Sequence, residues 1–487
     1  MPEQASDEAL ARLRDMLTGH GYTLDGVRDR LGDTAAAALA REELIPALRA
    51  TRDGDPLAAL IRLWWLGTAV PEGALPASDG LWRELAGAGL VAAGEGGALR
   101  ATVHLQPWET GGYVVSDRKV RPGDPPLRPD HVVGAGGASA NLAQLVSRRP
   151  AGRALDLGTG CGVQVLHLAN GRAGQVVATD VNPRALAMAR LSWRLSGITT
   201  GVEAREGSMF DPVEDERFDL VVSNPPFVIA PADGLTYRAA RADADAFCRD
   251  LVRRAPRHLA PGGRCHLLAN WLHVKGEDWR DRVGGWLAET GCDGWAVQRD
   301  AQDPAEYVEL WLRDSAEQGG PGYRARYDAW LDRLAAMDVT GIGFGWITLH
   351  ASGTLDPVVR VEELTQRVEL PVGGYVDDVL GSIAAAHRIG DDELLAARLT
   401  VADGVVEERI GPPGAEDPAR ILLRQTRGLC RVAPVGTAEA ALAGVCDGDL
   451  PLGPLLGAIA ELTGTETPAG VPEAVRSLVA EGFLRVP

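Results

Sequence analysis

Apolar positions near the start of the chain return at helical spacing. Leu10, Leu13 and Leu17 share one helical face, and Leu57, Leu60, Ile61, Leu63 and Trp64 make a broader one. A short helix is expected over Leu81–Leu90. It leads into Leu90-Val91-Ala92, a turn containing Gly94, Gly96 and Gly97, and a second β segment over Leu99–Leu105. Residues 106–150 break the pattern with Pro107, Gly111, Gly112, Pro122, Pro125, Pro126 and Pro129. They read as a linker or ordered lid, ending in the loop Gly134–Ser139 before a helix from about Asn141.

From residue 153 the period becomes that of alternating strands and helices. Strands are expected at Ala154–Leu157, Val176–Thr179, Val202–Arg205, Leu220–Ser223 and Arg264–Ala269, with helices near 162–169, 183–196, 240–258 and 277–290. That rhythm predicts an α/β fold with a parallel sheet and right-handed crossovers. A helix over about 323–336 and a late strand over Gly341–Leu349 close it. Beyond 350, Val358–Leu364, Leu394–Val401 and Ile421–Val432 suggest strands, and Tyr375–His387 a helix. Helices over Leu455–Leu462 and Pro472–Glu481 then precede a strand at Phe483–Val486. Helices followed by a glycine-tipped hairpin outline a winged-helix-like domain over residues 1–110. Residues 111–350 read as lid plus α/β domain, and 351–487 as an α+β domain with a winged-helix-like end. No repeat of fixed period occurs.

The length of 487 residues fits two to four domains of roughly 100–200 residues each. Hydrophobic residues at 45% and charged residues at 24% exclude wholesale disorder. No apolar run reaches the ~20 residues of a membrane helix, and Met1–Asp7 lacks a basic stretch, so a cytoplasmic protein is expected. The six cysteines show no CxxC spacing and read as reduced thiols, mostly buried. The nine histidines form no HxH or HExxH group, so no metal site is expected. A net charge of −18 argues against a protein that coats nucleic acid electrostatically, though not against a local basic patch.

The chemistry concentrates in two places. Residues 154–163 read Ala-Leu-Asp-Leu-Gly-Thr-Gly-Cys-Gly-Val, an apolar strand running into Asp156, Gly158, Thr159, Gly160 and a helix. Glycines permit close backbone approach to a ligand, and a helix N-terminus adds free N–H groups. Asp156 at the loop entrance would repel a pyrophosphate but suits an ammonium group, which favours the amino-acid end of S-adenosyl-L-methionine over a dinucleotide. Asp180, ending the second strand, suits both ribose hydroxyls, while Asn182 before Pro183 is the better helix cap. In Glu206-Gly-Ser-Met-Phe-Asp211 an adenine would meet Ser208, with Met209 and Phe210 either flanking the ring or belonging to the core.

The fourth strand ends in Asn224-Pro225-Pro226-Phe227. Two prolines stop the ladder and stiffen the turn, and the residue before them is held extended. The Asn224 side-chain oxygen and the Pro225 carbonyl then face outward as acceptors, able to hold both N–H bonds of a planar amine or amide, with Phe227 stacking on it. Residues 130–350 resemble class I S-adenosylmethionine-dependent N-methyltransferases of the [DNS]-P-P-[FYW] group, which includes ribosomal RNA guanine and adenine methyltransferases, DNA adenine methyltransferases and release-factor glutamine methyltransferases. Asp156, Gly158, Gly160, Asp180 and Asn224–Phe227 match their positions. The resemblance implies a Rossmann-like seven-stranded domain with S-adenosyl-L-methionine as cofactor. Two departures are Ser208, where those families often carry Asp, and Phe227, where the glutamine enzymes usually carry Tyr. Tyr237, Arg238 and Arg241 fall where such enzymes place an acceptor loop, and Tyr113 and Asp117 are weaker candidates. Of the possible acceptors, an exocyclic amine of an RNA base leads. A glutamine amide on a protein is the alternative, a catalytically silent cofactor-binding partner protein a further one, and small-molecule methylation stays open.

Overall fold

The computed structural model describes residues 5–119, 127–226, 228–229, 245–314, 320, 322–414, 417–463 and 470–486. The chain folds as two units built from separated stretches. Met1–Ala143, Pro150–Cys248 and Gln302–Thr340 make the first; Gln144–Arg149, Arg249–Ala301 and Gly341–Pro487 make the second.

The first unit opens with the helix Asp7–Gly19, which begins where the Ser6 side chain accepts the Ala9 N–H and which buries Leu10, Leu13 and Leu17 as their spacing predicts. The broader apolar face is a short helix, Pro56–Leu60, continued by a single π turn over Ile61–Trp65. Leu81–Gly87 is helical, and Val91–Ala93 pairs antiparallel with Ala98–Ala101, whose other edge takes Val70–Pro71. Val103–Pro107 and Tyr113–Asp117 form a second antiparallel pair inside the stretch expected as linker or lid. Tyr113 and Val115 donate their N–H groups to Ser196 Oγ and Ser192 Oγ, both at 2.8 Å.

After α1 (Gly137–Leu145) come the parallel strands β1 (Ala151–Leu157), β2 (Ala173–Asp180), β3 (Val202–Glu206) and β4 (Phe218–Ser223), in the order β4-β1-β2-β3. Helices α2 (Val163–Leu168) and α3 (Pro183–Leu195) follow β1 and β2. The reversal of strand order between β4 and β2 about β1 leaves the crevice in which open α/β sheets bind ligands, at the carboxyl ends of the strands.

The second unit holds β5 (Leu259–Val274), β6 (Asp293–Gln302), β7 (Val339–His350) and β8 (Val359–Glu363), in the order β8-β6-β7-β5. Among the described residues these make eight strands, where the resemblance implies seven. The additional one is β8, parallel to β6 from Gly294↔Val359 to Gln298↔Glu363. It supplies partners for backbone groups that an edge strand would leave open.

Two further expectations are corrected. Leu394–Val401 is not a strand: Asp391–Ala396 is a helix, and only Thr400–Val401 pairs, with Leu484–Arg485. Asp391, Asp392 and Glu393 crowd its first turn, where negative charge stabilises a helix. Ile421–Val432 is two strands, Arg420–Gln425 and Val432–Val435, paired antiparallel around a turn in which Gly428 takes φ +65°. The helices Gly373–Arg388, Leu452–Thr463 and Val471–Ala480 occur as expected. They enclose a core that includes Leu423, Leu442, Leu452, Val475 and Phe483. All six cysteines are free thiols, five of them buried. No helix among the described residues is long and apolar enough to cross a membrane.

Candidate functional site

β1 delivers the chain to the glycine loop. Gly158, Gly160 and Gly162 take φ +68°, +54° and +81°, a region that residues with a Cβ rarely enter. Their surroundings differ. A Cβ on Gly162 would come 2.5 Å from Trp193 Nε1 and 2.9 Å from Ala189, so this glycine seats the loop on α3, where Trp193 Nε1 donates to the Gly162 carbonyl at 2.9 Å. Around Gly160 nothing lies within 4 Å, and Gly158 meets only the Met209 methyl at 3.7 Å. Those two glycines leave their backbone open to a cavity of about 460 Å³.

Asp156, Gly158, Thr159, Gly160, Asp180, Asn182 and Met209 share the wall of this cavity with Asn224, Pro225 and Pro226. The Asp156 carboxyl is buried and accepts from Thr159 Oγ1 at 2.6 Å. Burial, with a further push from Asp180, lifts its pKa to about 7 against the bond from Thr159. Burial also raises Asp180, although its two oxygens accept the N–H groups of Gly160 and Asn182, both at 2.9 Å. Each carboxylate oxygen has a second lone pair, so Asp180 can still accept from two hydroxyls. Asn182 caps α3 by accepting the Arg184 N–H at 3.0 Å, and its Nδ2 donates to the Asp130 carbonyl at 3.1 Å.

Ser208 is exposed and is absent from the cavity wall. Met209, at φ 46°, lines it, while Phe210 is core. The turn after β4 is tied to the end of β1 by Ser223 Oγ, which donates to the Leu157 carbonyl at 2.9 Å. Asn224, Pro225 and Pro226 are thereby brought beside the glycine loop. Phe227, Tyr237, Arg238 and Arg241 lie outside the described residues.

Several wall residues carried no sequence signal. His131 and Val132 belong to a strap held by Asp117, whose Oδ2 accepts the Val132 N–H at 2.9 Å and faces His131 Nδ1 at 3.8 Å. Arg184 pairs with the same carboxylate, and its own pKa is raised by that bond. The loop Gly134–Ser139, which the sequence did mark as the end of a linker or lid, lines the cavity too, and Gln164 Nε2 donates to the Ser139 carbonyl at 2.8 Å. Trp311 and Asp314 come from α4 (Pro304–Asp314). Tyr113, by contrast, is core: its ring stacks on Tyr22 at 6.5 Å and its hydroxyl meets Thr18 Oγ1 at 3.2 Å.

A strand-loop-helix with an acid at the loop entrance, an acid ending the next strand and an Asn-Pro-Pro turn on one cavity is a specific combination. The family model described as methyltransferase small domain matches residues 135–277. Residues 135–277 are thus similar to that domain. A second model, for a domain of unknown function, matches residues 19–102. Among curated relatives, the release factor glutamine methyltransferase of Geobacter sulfurreducens is 35% identical over 178 residues, 34% of this chain and 58% of that protein. The ribosomal protein L11 methyltransferase of Rhizobium johnstonii is 32% identical over 177 residues, 33% of this chain and 53% of that protein. The chain thus spans about half the length of the curated relatives it matches. Among the described residues no group of three or more His, Cys, Asp or Glu stands close enough to hold a metal ion.

Proposed function

We propose that the chain is an S-adenosylmethionine-dependent N-methyltransferase acting on a planar nitrogen of a macromolecule. The observation that carries this is one cavity uniting Asp156, Gly160 and Asp180 with the Asn224-Pro225-Pro226 turn. The residues fit the cofactor. A buried acid whose charge awaits a cation suits the ammonium of the methionine portion, open glycine backbone suits close approach, and Asp180 suits the ribose. When bound, S-adenosyl-L-methionine supplies a methyl group on a cationic sulfur. Asn224 Oδ1 and the Pro225 carbonyl accept the two N–H bonds of the acceptor and turn its lone pair toward that methyl, so the chain contributes orientation and electrostatics. Met209 and Val163 give the cavity apolar wall.

Two acceptors compete. An exocyclic amine of an RNA base draws on the helical N-terminal region with its antiparallel strand pair, read as winged-helix-like, and on a similar reading of the C-terminal end. The side-chain amide of a protein glutamine draws on the name of the Geobacter relative and on the net charge of −18. The names of both relatives favour a protein acceptor. A cytoplasmic location belongs to the same proposal.

Calorimetry on the whole chain should show cofactor binding in the micromolar range. Asn224→Ala should keep that binding and lose transfer of tritiated methyl to extract from the source cell; no binding to the wild type, or full transfer by the variant, removes the proposal. Label lost to protease and kept under nuclease selects the glutamine reading; the reverse selects RNA.

A further inference from the structure

In the second unit, β9 (Val405–Ile410), β10 (Arg420–Gln425) and β11 (Val432–Val435) form an antiparallel sheet in the order β9-β10-β11. Its two edges differ. β11 is short and carries Pro434, which has no N–H to offer a neighbour. β9 holds neither proline nor glycine. The Thr426 N–H donates to the Gly404 carbonyl at 2.8 Å, and hydrogen bonding alternates along an antiparallel ladder. Val406, Glu408 and Ile410 therefore turn their backbone groups toward β10, while Val405, Glu407 and Arg409 turn theirs outward. The Val405 N–H reaches the Ala402 carbonyl at 3.3 Å. Among the described residues the backbone groups of Glu407 and Arg409 meet no partner. Such a row is a template for another strand.

The side chains say which strand fits. Val406 and Ile410 are apolar yet 43% and 40% exposed. They share a sheet face with Glu408, whose carboxylate is held by Arg424 Nε at 2.5 Å and Nη2 at 3.0 Å. On the other face the Glu407 carboxylate lies 2.5 Å from Arg409 Nε. We propose that β9 is a self-association edge, pairing antiparallel with β9 of a second copy of this chain about a twofold axis through Glu408. An axis normal to the sheet keeps each face on its own side and brings outward residues against outward ones. An axis through Glu407 would set Glu407 against itself and Val406 against Glu408. An axis through Arg409 would set Arg409 against itself and Glu408 against Ile410. Through Glu408, Val406 meets Ile410 and Glu407 meets Arg409, each pair occurring twice by symmetry. Glu407 and Arg409 then exchange both of their open backbone bonds. The one like-charge pair is Glu408 with its own copy, and each of these already carries an Arg424. Apolar and opposite-charge cross-strand pairs are the stabilising kinds.

Sedimentation of the whole chain should show a monomer–dimer equilibrium with Kd on the order of 10–100 μM, the strength of a small interface. Glu407→Arg sets arginine against arginine across the axis, and Arg409→Glu sets glutamate against glutamate. Each alone should weaken association at least about tenfold. Mixed in equal amounts, the two variants should associate about as tightly as the wild type, because the arginines of one face the glutamates of the other. That rescue cannot come from a bridge within one chain, and it shows that both variants are folded. Hydrogen exchange on the wild type reads the register without any substitution. The Glu407 and Arg409 amides should slow as concentration rises through the Kd, while those of Val406, Glu408 and Ile410 stay slow throughout. A wild type that remains monomeric well above that concentration overturns the pairing and leaves β9 to a foreign segment or to solvent. A dimer indifferent to both charge changes, a mixture of folded variants that fails to associate, or protection that never reaches Glu407 and Arg409 overturns it as well.

Discussion

Asp156 shows how a single carboxyl couples stability to binding. Its ordinary pKa is 3.8, and burial first, then Asp180, carries it to about 7 in the folded chain. Between those values the folded state holds a proton that the unfolded state has released. Stability therefore falls as pH rises from about 4 to about 7 and levels off above. A cationic ligand reverses the preference, since it favours the ionised acid. We expect cofactor affinity to increase from pH 6 to pH 8 with release of close to one proton, read by calorimetry in buffers of different ionisation enthalpy. Affinity that is flat across this range would refute the coupling. Asp156→Asn should raise the melting temperature at pH 8 by about 2–4 °C and cut cofactor affinity at least about tenfold. Much of this was legible in the sequence, because Asp156 and Asp180 end strands of strong apolar character and the loop between them is marked by glycines. Ser208 was misplaced for a local reason: with Met209 at φ 46° and Phe210 in the core, the turn sends the serine outward.

At the scale of elements, Asn182 does two jobs with two atoms. Its oxygen caps α3 at the Arg184 N–H, and its nitrogen holds the Asp130 carbonyl of the strap. Substitutions separate them. Asn182→Ala should lose about 1 kcal/mol in urea unfolding, the usual worth of an N-cap. Asn182→Asp keeps an acceptor at the helix N-terminus but no donor for Asp130. It should hold its stability while amides of residues 130–134 exchange faster with deuterium; equal exchange in wild type and variant would show that Asp117 and Arg184 alone fix the strap. The cap was readable from Asn-Pro at a helix start. The strap was not, because its hold depends on Asp117, His131 and Arg184, which meet only in three dimensions. The same holds for α4: a helix between two strands carries no local mark of the cavity its far turn reaches. Elements with one dominant period were legible. Leu394–Val401 misled because three acids and a helical turn precede the apolar residues that suggested a strand.

For the molecule as a whole, the two units respond to acid in opposite senses. No composition change marks their boundary, because the chain passes between them several times and leaves no single seam. In the second unit, Glu362 on β8 is paired with Arg431 through both guanidinium nitrogens, at 2.6 and 2.7 Å, and receives Trp295 Nε1 at 2.7 Å. Burial works against its charge, yet Arg431 and Trp295 outweigh that and hold its pKa below the ordinary 4.5. The pair therefore contributes fully above pH 4.5 and is lost as pH drops through the lowered value. Asp156 in the first unit moves the other way, gaining stability as it takes up its proton between pH 7 and 4. The first unit also has depressed acids, Glu203 and Glu216, whose arginine partner Arg205 lies near the surface, and such pairs are worth little. Calorimetric melting should thus give overlapping transitions near pH 7 that separate as the pH falls below 4.5, with the second unit melting first. Glu362→Gln leaves Arg431 buried without its counter-charge, and should cost the second unit about 3–5 kcal/mol at pH 7. Once the pH has dropped through that lowered value and Glu362 has lost its charge, the same substitution should cost much less against the wild type. A deficit of equal size at both pH values would mean that packing around Glu362, rather than its charge, holds β8 in place.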